Sequence, residues 1–204
     1  MVVAIDLRYP FEGRWLTRNS PADRVPSHGT TLFATSFAVD FVPVDAAGRS
    51  APVTWRSLLR TEPPELFPGF GRPVLAPVAG VVVAAHDAEP DHGSYRGLPS
   101  IRYALTQRGR AAAGWPSLAG NHVMVATPDG TVVAVCHLQR GSVRVRQGEA
   151  VGAGQLVGRC GNSGNSTEPH VHLQAMDGPD ASRASAVAIT FGGRMPVSGE
   201  VVGG

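Results

Sequence analysis

The sequence predicts a mainly β protein built on an antiparallel sheet of short strands. Gly 25 and Pro 17 together make up about a fifth of the 204 residues, a composition that interrupts long helices and supplies turns. Short runs rich in β-branched residues recur between Gly, Pro and Asp-Gly punctuation, the pattern of strands joined by tight turns. No apolar stretch approaches the ~18 residues of a membrane helix.

Taken in order, residues 1–30 are polar and turn-rich, ending in Val25-Pro26-Ser27-His28-Gly29-Thr30. Residues 31–44 are apolar and β-like, centred on Phe37-Ala38-Val39-Asp40-Phe41-Val42. Residues 45–70 hold one short helix at 54–59, after which Glu62-Pro63-Pro64-Glu65 breaks regular structure. Residues 71–86 read as a short strand, a turn at Val78-Ala79-Gly80 and a long strand rich in β-branched residues. Residues 87–119 form a long insertion without clear periodicity, a kind of segment that usually serves function or mobility. A hairpin follows, with strands at 122–126 and 131–138 around Pro128-Asp129-Gly130. Short strands are expected at 143–145 and 155–158. The loop 160–167 then delivers a strand carrying His170-Val171-His172, and 186–191 is strand-like.

Composition removes several classes of function. The formal net charge of +2 leaves no electrostatic footprint for nucleic acid. All 18 basic residues are Arg, which excludes Schiff-base chemistry, a P-loop lysine and a lipoyl or biotinyl attachment site. Cys136 and Cys160 are too few for a disulfide scaffold and read as two buried thiols or one bridge. Met1-Val2-Val3-Ala4-Ile5-Asp6-Leu7-Arg8 sets an acid and a base in its apolar run, unlike a signal peptide, so a cytoplasmic location is expected.

The chemistry lies in the histidines. His170 and His172 stand at i and i+2 of a strand and therefore share a face, roughly 6–7 Å apart at Cα. One can bind a metal while the other stands beside it as an acid or base. His137 closes the strand 131–138, where alternation puts it on the face of Val133 and Val135 and opposite Cys136. Asp40 interrupts an otherwise apolar strand, and a buried carboxylate needs a partner or a metal. His28 sits in a Pro-Ser-His-Gly turn, either at the surface or at a site. His86, His92 and His122 read as structural or exposed, His122 with a place beside a groove as its alternative.

The ordered set resembles the lysostaphin-type, LytM-like zinc metallopeptidases. It comprises 71–84, Gly120-Asn121-His122-Val123-Met124-Val125, Val135-Cys136-His137-Leu138, 147–158, Gly161-Asn162-Ser163-Gly164 and His170-Val171-His172. The resemblance covers 26–43, 71–86 and 120–176. It implies one LytM-like peptidase domain over 1–204, with that core, insertions at 45–70 and 87–119, and an antiparallel sheet of duplicated hybrid motifs flooring an open groove. The implied function is zinc-dependent endopeptidase cleavage of peptidoglycan stem or cross-link peptides, a substrate of the cell envelope. Carried over by motif, His28, Asp40 and His172 are metal ligands, and His137 and His170 are the catalytic pair. The usual pattern places the first ligand four residues before the Asp, and that position is Ser36. The nearest upstream histidine is His28, so residues 29–36 must loop out to bring it to Asp40. Both insertions are candidate groove walls.

A catalytically inactive LytM-like binding or activator domain is the alternative that the Ser36 departure permits. A lipoyl- or biotinyl-type carrier resembles 148–155 but needs a lysine. A purely structural β domain leaves Asp40 unexplained.

Overall fold

The computed structural model describes residues 4–52 and 54–203. Twelve strands and four short helices are formed among them: β1 Ala4–Asp6, β2 Trp15–Arg18, β3 Val39–Pro43, α1 Trp55–Leu59, β4 Pro73–Leu75, β5 Gly80–His86, α2 Leu98–Leu105, α3 Gln107–Ala112, α4 Trp115–Ala119, β6 Asn121–Ala126, β7 Val132–Leu138, β8 Ala150–Val151, β9 Leu156–Arg159, β10 Val171–Met176, β11 Ala186–Thr190 and β12 Val201–Val202. Ten strands form one sheet in the order β12-β2-β3-β10-β7-β6-β5-β8, with β11 also on β10 and β1 on β11; β4 and β9 make a separate pair. The sheet is antiparallel apart from β1 and β11, which run parallel.

Alternation along the central strands divides the apolar residues between two faces. Val39 and Phe41 of β3, Val133 and Val135 of β7, and Val171 and Leu173 of β10 enter the larger core with Trp15, Val74 and Val157. Ala134 and Cys136 of β7, Met124 of β6 and Met176 of β10 face the other way, under Ala34, Trp115 and Ala119. Asp40 and His172 are direct cross-strand neighbours in β3 and β10 and point to this second side. Hydrophobic burial on one face therefore fixes the register that puts polar groups on the other.

Several expectations need correction. The segment 31–36 is a turn with a 3-10 segment at Leu32–Ala34, so the strand begins only at Val39. Its apolar residues Phe33 and Ala34 join the second apolar cluster with Trp115, Met124 and Met176 instead of pairing as a strand. Residues 4–18 contribute β1 and β2, which the polar, turn-rich composition concealed; Met1–Val3 lie outside the described residues. No strand forms at 143–145, where Arg144 N–H makes one bond to Val157 C=O and the run is not continued as a ladder. The insertion 87–119 is largely helical, carrying α2, α3 and α4. Cys136 and Cys160 are both free and buried, on opposite faces of the sheet.

Leu173 is fully buried in the larger core. A Leu173→Ala protein is expected to lose about 2–5 kcal/mol of stability, read as a lowered midpoint in urea unfolding followed by circular dichroism.

Candidate metal centre and cleft

His28, Asp40 and His172 each offer one ligand atom, and these atoms all lie within 4.8 Å of one another. The sequence separations are long, so the arrangement is a product of the fold. β3 and β10 deliver Asp40 and His172 by register. His28 arrives by the loop that the Ser36 departure required: residues 29–36 bulge outward, and Ser27 N–H returns to bond Ser36 C=O at 3.0 Å.

Asp40 is the hub. Its Oδ2 faces His28 Nε2 at 3.1 Å and its Oδ1 faces His172 Nδ1 at 2.9 Å, with His170 Nε2 at 3.8 Å. Asn19 Nδ2 donates to Oδ2 at 2.7 Å. Burial alone would raise the pKa of this carboxyl. The charge of His28 and the hydrogen bonds of His172 and His28 outweigh it and hold the pKa well below the ordinary carboxylate value. Burial likewise pushes His28 down, yet the charge and hydrogen bond of Asp40 raise it on balance. A fixed anion thus faces nitrogens that carry protons when no cation is present.

The donor set fits a divalent metal. Two imidazoles and a carboxylate are the ligands of an open, three-ligand site. The ring nitrogens that would not bind are already occupied. Ser27 Oγ donates to Thr35 C=O at 3.2 Å and can therefore accept from His28 Nδ1–H at 3.0 Å. His172 Nε2 faces Gln174 Oε1 at 3.0 Å. Such outer partners fix tautomer and ring orientation in metal-binding histidines.

His137 and His170 flank this group. Their ring centroids are 4.6 Å apart, and His137 lies 5.9 Å from His172. Each presents Nδ1 to a backbone carbonyl, His137 to Ser163 at 2.9 Å and His170 to Glu168 at 2.8 Å. A carbonyl only accepts, so both carry a proton on Nδ1, and the remaining Nε2 of His170 lies 3.8 Å from Asp40 Oδ1. Burial, followed by the neighbouring His170 and His172, pushes the pKa of His137 well below its ordinary value and keeps it neutral.

His137 reaches this side against strict alternation. The pairs Asn121↔Leu138 and Val123↔Val135 leave Cys136 and His137 opposite the single residue His122, a β-bulge. His137 itself has φ 63, in the left-handed region that histidine tolerates better than most residues. The expected face of Val133 and Val135 is therefore wrong for His137; the bulge swings it to the side of Cys136, and both line the cleft.

The cleft has a volume of about 710 Å³. Its floor is the polar side of the sheet, with one wall from residues 29–35 and the other from Trp115, Leu118 and Ala119 of α4. Insertion 87–119 is thus a wall, whereas among the described residues none from 45–70 lines the cleft. That segment packs behind it: Arg96 pairs with Glu62 at 2.7 Å, and Ser50 Oγ donates to Glu168 Oε2 at 2.6 Å. His122 is buried behind Trp115, at 4.6 Å between ring centroids, and does not line the cleft. His92 bonds Gly164 C=O at 2.9 Å, beside Tyr103 O–H at 3.1 Å on the same oxygen, so the helical insertion braces the loop that orients His137. Asn19 and Gln174 escaped the sequence reading. The continued alternation His170, His172, Gln174 was the available signal for the second; Asn19, in a turn, left none.

A sequence model of Peptidase family M23 matches residues 106–184, and it bears out the resemblance read from the sequence. His137, His170 and His172 fall inside the match; His28 and Asp40 fall outside it. The fold is also similar to a mutant catalytic domain of the prophage-encoded M23 protein EnpA from Enterococcus faecalis, at 20% identity over 74% of this chain and 73% of that one, TM-score 0.43. The lysostaphin catalytic domain from Staphylococcus simulans aligns at 19% identity over 86% and 88% of the two chains, TM-score 0.43. SpoIIQ in its pore-forming complex with SpoIIIAH aligns at 18% identity over 72% and 60%, TM-score 0.38.

Gly120 has φ +62, and a Cβ there would stand 2.6 Å from the Ser163 backbone carbon. Gly120→Ala is expected to displace residues 161–164 and release His137 from Ser163. Imidazole nitrogen NMR checks this: a single Nδ1–H form for His137 in the parent, a mixture of tautomers in the variant.

Proposed function

We propose, starting from the match of residues 106–184 to Peptidase family M23, that the protein is a zinc-dependent endopeptidase acting on peptidoglycan stem or cross-link peptides. The observation that carries this reading is His28. It completes with Asp40 and His172 the ligand set whose usual first member is missing at Ser36. An inactive binding or activator domain has no need of three converging ligands with two imidazoles beside them.

His28, Asp40 and His172 would hold the ion. Zinc bound there supplies Lewis acidity and a water of lowered pKa. His137 and His170 supply the proton chemistry, because each has Nδ1 engaged and Nε2 open to the cleft. One takes a proton from the attacking water and passes it to the amine nitrogen as the C–N bond breaks, while the other, in its protonated form, donates a hydrogen bond to the carbonyl oxygen as negative charge gathers on it. His137 is suited to the base because burial keeps it neutral. The walls at 29–35 and α4 leave a trough open enough for an extended peptide backbone. A peptidoglycan substrate would bring the protein to the cell envelope.

Purified protein is expected to bind about one zinc per chain, measured by elemental analysis after dialysis. Peptide release from purified sacculi is expected to stop on chelation and to return with added zinc. His137→Ala is expected to keep the metal and lose activity by about 10²–10⁴-fold. Absence of bound zinc would favour the binding-domain reading, and full activity in His137→Ala would remove His137 from the mechanism.

A further inference from the structure

Gln174 follows His170 and His172 along one side of β10 and is fully buried. Its carboxamide spans two parts of the cleft. Nε2 donates to the carbonyl of Phe33 at 2.9 Å, and Oε1 faces His172 Nε2 at 3.0 Å. The chemistry of these partners leaves one arrangement. A carbonyl oxygen only accepts, so the amide nitrogen must face Phe33, and the amide oxygen must then face His172. That oxygen also only accepts, so His172 must carry a proton on Nε2. Nδ1, which shares its proton with Asp40 Oδ1 at 2.9 Å when no cation is present, is thereby left as the nitrogen that a metal would take.

The other end of the amide holds a strained wall. Phe33 and Ala34 have φ 57 and 58, a left-handed backbone that non-glycine residues seldom adopt, least of all in succession. The Thr35 hydroxyl closes the turn on itself, donating to Leu32 C=O at 2.8 Å. Gln174 ties that turn to the sheet. Leu32 and Phe33 face α4 across the cleft.

We propose that Gln174 is a positioning residue with two arms, one fixing the tautomer of His172 for the metal and the other holding the Leu32–Ala34 turn as a wall for the substrate. This rests on the zinc peptidase reading. Under it a single amide sets both metal affinity and the shape of the cleft beside the metal.

Two variants separate the arms in the full-length chain. Gln174→Met fills the space and removes both hydrogen bonds. Gln174→Glu keeps an acceptor for His172 but puts an oxygen against the Phe33 carbonyl. Zinc affinity is read by competition with a chromophoric chelator. The turn is read by hydrogen exchange at the amides of Ser27, Thr35 and Ala38, whose bonds close it. Gln174→Met is expected to weaken zinc by about 10–100-fold and to speed exchange at those amides by about tenfold or more. Gln174→Glu is expected to keep zinc affinity within about threefold of the parent while showing the faster exchange. If the parent binds no zinc, the peptidase reading falls and this inference falls with it. If the parent binds zinc and Gln174→Met binds it equally well, only the role given to Gln174 is overturned. Should Gln174→Met fail to fold, Gln174→Glu decides: faster exchange with zinc retained supports the two arms, and exchange like that of the parent overturns them.

Discussion

A buried anion organises this molecule. Asp40 lies within an otherwise apolar strand, is 7% exposed, and receives nitrogens from His28, His172 and Asn19, with His170 just beyond. A carboxylate taken out of water is costly unless charge and hydrogen bonds replace the water. Meeting that demand draws in a turn from the N-terminal region and a strand from the C-terminal region. The Gln174 amide, the Ser27 hydroxyl and the Phe33 carbonyl serve in turn to hold the imidazoles in place.

The apolar face of the sheet makes this possible. Phe41, Val135 and Leu173 fix which side of each strand is buried in the larger core, so Asp40 and His172 are left together on the opposite side. His137 departs from alternation through a bulge and a left-handed backbone. The loop that orients it is braced from outside by His92, Tyr103 and Arg110, the last reaching Asn165 Oδ1 at 2.8 Å. The helical insertion therefore acts on the cleft in two ways, as a wall through α4 and as a support through α2 and α3.

What could be read from the sequence follows the range of the interactions concerned. The hairpin at 121–138 and the shared face of His170 and His172 are matters of neighbouring residues, and periodicity reports them directly. Asp40 stood out because one charge in an apolar run has a local signature. The strands at Ala4–Asp6 and Trp15–Arg18 gave no such signal, since their pairing with Ala186–Thr190 and Val39–Pro43 is decided by distant partners. The side occupied by His137 was misread because a bulge is a mismatch between two strands and has no period in either. Helices in 87–119 were hidden by their shortness and by Pro99, Gly109 and Pro116, helix-breaking types that fall inside them. The reach of His28 to Asp40 could be stated as a requirement, and only the folded loop 29–36 meets it.

The bond between Asp40 and His172 joins residues 132 positions apart, and Asn19 and Gln174 extend the same cluster outward in both directions along the chain. During synthesis the early hub, with only His28 and Asn19 upstream of it, must wait for His172 in the last third of the chain. A nascent chain ending before residue 170 has β6 and β7 but neither the strand that pairs β3 with β7 nor the imidazole that stands beside Asp40. The assembly of the His28, Asp40 and His172 cluster and the closure of the sheet are thus the same event. An ion held there ties early chain to late chain, restraining separation of β3 from β10 much as a covalent cross-link between them would.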